Sequence, residues 1–144
     1  MEEQNFKNHT RTVPAFHFFL LPLSMLTFIG SLVNLYQSMG DPERIYSASL
    51  IAVMAFAMIG IALAARVFAL QAQDRVIRLE ENLRHQTLTG KMLDSRLTRG
   101  QVIALRFASD AEFPALAADA ASKGTAPKDI KQAIRNWRAD NYRL

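Results

Sequence analysis

Residues Ile45 to Leu83 read IYSASLIAVMAFAMIGIALAARVFALQAQDRVIRLEENL, and the fold turns on whether this run is one helix. It contains no proline, and Gly60 is its only glycine, so no stop signal interrupts a helix once it has started. Ile45 to Ala65 carries no charged residue, over about the 20 residues a helix needs to cross a hydrocarbon core. From Arg66 onward charges alternate with Val76, Leu79 and Leu83. The pattern predicts a single helix that spans a membrane and leaves it as a stalk.

Upstream lies a short polar loop, SMGDPER, and before it Thr12 to Gly40 holds no Asp, Glu, Lys or Arg. That block is longer than a signal-peptide core and has no small-x-small cleavage pattern, so it is expected to remain as an anchor. Pro14 suits a first helical turn, whereas Pro22 is interior, frees the carbonyl of Phe18 and predicts a kink. The expected organisation is a lead over 1–12, a first span over 13–38, an external loop over 39–44 and a second span over 45–68. A stalk over 69–90 and a small three-helix module over 91–144 complete an all-α membrane protein.

Orientation follows from charge. Of the 17 Lys and Arg, Lys7 and Arg11 precede the first block, Arg44 lies between the blocks, and the rest begin at Arg66. The excess of Lys and Arg outside the loop places both termini in the cytoplasm by the positive-inside rule, with the loop facing the periplasm or exterior.

On the first span, His17, Leu20, Ser24, Thr27, Ser31 and Asn34 recur at steps of three and four, a stripe of mostly small or polar side chains. In lipid such side chains are expected to seek partners on a neighbouring helix. The second helix carries Ala48, Ala52, Ala55, Ile59, Ala62, Arg66, Ala69 and Gln73 at the same rhythm. With a turn near Gly40 to Pro42, facing residues have numbers that add to about 82, which sets His17 near Ala65 and Arg66, and Arg11 near Gln71 to Asp74. Two readings of the first stripe stand: a helix-packing face, or the lining of a pore with Arg66 at its mouth. For Arg66 the favoured reading is an anchor whose guanidinium snorkels to cytoplasmic headgroups, because it lies near the end of the span.

Along the stalk, Ala72, Val76, Leu79 and Leu83 have coiled-coil spacing, and Glu80 with Arg84 forms an i,i+4 pair. Thr89 and Gly90 break the pattern. Beyond them a helix is expected around Arg99 to Ala108. Ser109 with Glu112 predicts a capping box for a second helix that closes at Lys123 and Gly124. A third is expected from Thr125 to Pro127, with Ile130, Ala133, Ile134 and Trp137 on its apolar stripe. So small a core would gain from docking on the stalk or another subunit. Lys128, Lys131, Arg135 and Arg138 form the basic stripe of that third helix. Together with Trp137 they are candidates for anionic lipid headgroups or a protein partner. No aromatic interleaving or recognition motif favours nucleic acid.

The chain has no cysteine, which removes disulfide and thiolate chemistry, and its three histidines are scattered without ligand spacing, so no cofactor or metal is expected. No phosphate loop, nucleophile elbow, HExxH or dinucleotide signature occurs, and catalysis is not expected.

Four segments, QNFKNHTR, RVFALQAQDRVIRLEE, QVIALRFASD and IKQAIRNWRAD, resemble a family of small bacterial membrane proteins known as a domain of unknown function. The resemblance implies two spanning helices in the inner membrane and brings no activity, cofactor or catalytic residue with it. The expectation is therefore a non-enzymatic accessory or interaction subunit of a membrane assembly, associating with other subunits or with itself. The alternative is a small homo-oligomeric channel lined by the polar face of the first helix.

Overall fold

The computed structural model describes residues 4–9 and 12–140. Arg11, and with it the expected pairing to Gln71–Asp74, lies outside the described residues, as do the ends of the expected lead and module. Described residues contain helices and no strand: a π-helical segment (Ala15–Leu20) leading directly into α1 (Leu21–Gln37), then α2 (Pro42–Thr89), α3 (Arg99–Leu105), α4 (Phe113–Lys123) and α5 (Pro127–Ala133). Ala15–Gln37 and Pro42–Thr89 are each long and apolar enough to cross a membrane. The contacts divide the chain into two compact units, residues 12–69 and residues 4–9 with 70–140.

The run from Ile45 to Leu83 lies wholly within α2, as its lack of stop signals predicts. Asp41 starts the helix: its Oδ1 accepts from the amides of Glu43 at 3.1 Å and Arg44 at 3.3 Å, and Pro42 occupies the first turn, where no N–H is required. The helix therefore begins inside the expected loop. Gly90, at φ +74, ends it in the left-handed region a side chain disfavours.

In the first unit α1 and the early part of α2 pack antiparallel. Phe28 meets Phe56 with ring centroids 5.7 Å apart, and the Arg66 guanidinium lies 5.9 Å from the centroid of the Phe16 ring, close to the expected register. The small-residue stripe of α2 is the buried face: Ala48, Ala52 and Ala55 are buried, and Ile59, Ala62, Arg66 and Ala69 are half-buried. On the first helix the face is His17, Leu21, Ser24, Phe28, Ser31, Leu35 and Ser38, while Leu20, Thr27 and Asn34 are exposed. Of the expected stripe, His17, Ser24 and Ser31 lie on the face packed within this unit. At Pro22 there is π-helical backbone in the preceding turn instead of an interruption, with the Leu21 amide bonded to the Phe16 carbonyl. A wider turn relieves the clash a proline ring makes with the carbonyl four residues back.

The second unit encloses a core of Leu97, Val102, Leu105, Phe107, Phe113, Ala117, Ala120, Ile130 and Ile134. Its capping box is at α3: Thr98 Oγ1 accepts from Gln101 N at 3.4 Å, and Gln101 Oε1 accepts from Thr98 N at 2.8 Å. Gln101 Nε2 also donates to the Thr125 carbonyl at 2.9 Å, tying the start of α3 to the α4–α5 turn. The box expected at Ser109 and Glu112 does not form. The Glu112 carboxylate instead accepts from the amides of Arg135 and Asn136, and from Asn136 Nδ2 at 3.0 Å. Those amides are then unavailable to a helix, and Arg138 N donates to the Phe107 carbonyl at 2.7 Å. For this reason α5 ends at Ala133, and the chain bends at Arg135 and Asn136 to reach an antiparallel bridge between Ala108 and Trp137.

Candidate functional site

The chemistry of the second unit is concentrated where the stalk part of α2 meets the segment after α5. Ile77 and Glu81 are buried on the stalk, one turn apart, with Arg84 and His85 half-buried beyond them. Arg84 lies at the centre of this contact. Its Nη1 donates to Glu81 Oε2 at 2.9 Å, its Nη2 to the Ala108 carbonyl at 2.6 Å, and its Nε to Asp110 Oδ1 at 2.7 Å. The guanidinium also stacks 4.4 Å from the centroid of Phe113. The expected Glu80–Arg84 pair is replaced by Glu81, three residues away rather than four, because that carboxylate is on the face turned toward the core. Arg138 Nη1 reaches the other Glu81 oxygen at 3.6 Å, and Arg106 Nε lies 2.9 Å from Asp140 Oδ2.

Around these groups is an open groove of about 580 Å³, lined by Gln73, Val76, Ile77, Glu80, Glu81, Arg84, Arg106 and the segment Arg138 to Asp140. Three guanidinium groups face three carboxylates there, so the groove carries both signs of charge on rigid supports. Within the groove the guanidinium and carboxylate groups lie close enough to pair, as Arg84 with Glu81 and Arg106 with Asp140 do. Among the described residues no group of three His, Asp or Glu is arranged to hold a metal ion.

The lead contributes to this unit, which its polar sequence did not suggest. His9 lies 5.8 Å from Phe6 and from Phe107, and 5.9 Å from Trp137, between ring centroids. Its Nε2 is 3.1 Å from Lys131 Nζ, and Gln4 Oε1 accepts from the Asp140 amide at 2.8 Å. Of the expected basic stripe, Lys128 and Lys131 are on α5, whereas Arg135 and Arg138 follow it outside the helix and do not share a helical face with them. Trp137 stacks 5.0 Å from Phe107 and is half-buried, an anchor of the core.

In the first unit the polar side chains turn inward on their own helix. The hydroxyls of Ser24, Thr27, Ser31 and Ser38 donate to the carbonyls of Leu20, Leu23, Phe28 and Asn34 at 2.6 to 2.8 Å. His17 Nδ1 is 3.0 Å from the Val13 carbonyl and 3.1 Å from its amide. Serine fits the face because it is small and satisfies itself, leaving the alanine ridge to pack against it.

The linker between stalk and module holds Asp94, whose carboxyl is pulled from the ordinary 3.8 to about 2 by hydrogen bonds from the Arg96 side chain and amide.

A family model matches residues 1–144, the whole chain, and its description is a family of unknown function, DUF6526. The chain belongs to this family. No curated protein and no solved structure matches it. For a DUF6526 member the residues themselves are thus the basis of any functional reading, and the second unit, with its groove, carries the densest chemistry.

Proposed function

We propose that the chain is a non-enzymatic, membrane-anchored accessory subunit of the bacterial inner membrane. In this reading it spans the bilayer twice and offers the grooved cytoplasmic module to a protein partner. The observation that carries it is the exposure of large apolar side chains along two long helices. Phe18, Phe19, Leu26, Ile29, Val53, Phe56, Ile61 and Phe68 are all exposed, and only 11% and 17% of the two apolar windows is buried. The core helix of a water-soluble protein buries such residues, whereas a bilayer requires them outside. The packing of residues 4–9 against the module supports a topology with both termini on one side, since an even number of crossings returns the chain to the side it left. The positive-inside bias of the Lys and Arg residues supports the cytoplasm as that side.

The test is extraction of native membranes into nanodiscs, followed by native mass spectrometry. Co-migration with a different, larger protein supports the accessory reading. A closed assembly of this chain alone that conducts ions in liposomes, and loses conductance on His17→Leu with Arg66→Leu, would replace it with the channel alternative.

A further inference from the structure

The stalk has two faces, and only one is used within the chain. Ile77, Glu81, Arg84 and His85 face the module. Turned away from those residues, Leu79 and Leu83 stand 61% and 53% exposed, with Ala72 also exposed and Val76, 54% exposed, at the edge of the groove. The residues at coiled-coil spacing thus form an exposed apolar strip among the described residues. Its spacing defines core heptad positions, with Val76 and Leu83 at the a sites and Ala72 and Leu79 at the d sites.

That assignment places two charges on the flanks of the seam. Arg75 occupies the g site before Val76, and Glu80 the e site after Leu79. Both are exposed, and neither has an ion-pair partner among the described residues. In a parallel pair of helices a g residue meets the e residue five positions later on the other strand. Arg75 would thus meet Glu80 of a second copy, and Glu80 would meet its Arg75. In an antiparallel pair g faces g, which would set Arg75 against Arg75.

We propose that the stalk associates in parallel with that of a second copy of this chain. Val76, Leu79 and Leu83 form the seam, and reciprocal Arg75–Glu80 pairs set register and direction. The inference rests on the membrane reading, because two copies with the same insertion topology hold their second helices parallel. Two heptads are short for a coiled coil in solution, but shared confinement to a bilayer raises the effective concentration of the stalks and lowers the length required. Val76 and Glu80 also border the groove, so a second stalk would cover that edge of it and leave the side lined by Arg106 and Arg138 to Asp140 open.

Since the chain has no cysteine, the test is single-cysteine scanning of the full-length protein in native membranes, with mild oxidation. V76C, L79C and L83C should give the disulfide-linked homodimer, and R78C, an exposed position off the seam, should give little. On the L79C background, R75E and E80R should each reduce the dimer roughly tenfold, because two attractive pairs become two repulsive ones. R75E with E80R together should restore it. Equal cross-linking at R78C, insensitivity to the single swaps, failure of the double swap to restore, or adducts only with another protein would each overturn the proposal. An alkaline carbonate wash of the same membranes separates the two levels. A retained chain without the cross-link refutes the pairing alone, and a chain that washes out refutes the membrane reading with it.

Discussion

The two units of this chain follow opposite packing rules. In residues 12–69 the buried face is Ser24, Ser31, Ala48, Ala52 and Ala55, and the large apolar side chains are outside. In the second unit Phe107, Phe113, Leu105 and Ile130 are fully enclosed, and the large apolar side chains left outside are on or just after the stalk. On the membrane reading proposed above, the same twenty amino acids pack both ways because burial is decided against the surrounding solvent. Against water the large apolar groups gain most by leaving the surface. Against lipid they gain nothing, and close backbone approach of small residues decides the interface.

Core deletion should break the contrast most strongly. Phe113→Ala empties an aromatic site that also supports Arg84 and should cost about 3–5 kcal/mol, against near neutrality for Phe18→Ala. Glu81→Ala removes the carboxylate of a buried pair and should cost a similar ~3–5 kcal/mol. Trp137 is the only tryptophan and lies in the second unit, so its fluorescence during denaturant unfolding of the detergent-solubilised chain reads both variants.

A charge on the exposed face of the first helix sharpens the comparison next. Leu26 is at the middle of Ala15–Gln37 and points outward. Leu26→Arg should cost about 2.5–3.5 kcal/mol of insertion, visible as loss of the carbonate-resistant fraction with little change in the tryptophan transition of whatever protein folds. In a water-exposed helix the same change would be silent.

Enlarging a small residue should do harm only where the rule is close approach. Ala52→Leu should separate α1 from α2 at a cost of about 1–3 kcal/mol, whereas Ala57→Leu, on the exposed face, should cost little. Cross-linking between cysteines introduced at Phe28 and Phe56 measures the separation.

The smallest effect is acid-dependent and confined to the linker. Asp94 has its pKa lowered from 3.8 to about 2 by Arg96, so its contribution is fully present above the unfolded value. It is lost as pH falls from about 4 towards 2. Asp94→Asn should flatten the acid limb of stability in that window and leave neutral pH nearly unchanged; unfolding midpoints across the window check it.

Much of this was legible in sequence. An unbroken apolar and then amphipathic run without proline predicts α2, and the alanine periodicity marks its buried face residue by residue. The first helix was harder, because steps of three and four fit two adjacent seams equally well. His17, Ser24 and Ser31 belong to both, and the meeting of Phe28 with Phe56 selects the one that excludes Thr27 and Asn34. Glu112 was misread for a related reason: a Ser-x-x-Glu spacing allows a local cap, but this carboxylate found amides 23 residues away.

By itself, then, the sequence determined the helical spans, their breaks at Asp41–Pro42 and Gly90, the alanine face and the likeness to a family, all properties of short-range periodicity and chain stiffness. Tertiary structure alone decided that Arg84 joins Glu81, Asp110 and Phe113, that Glu112 ends α5, and that the lead packs on Phe107 and Trp137. Each of those contacts brings together groups distant in the chain, and a local pattern holds no record of which distant partner will satisfy a buried charge.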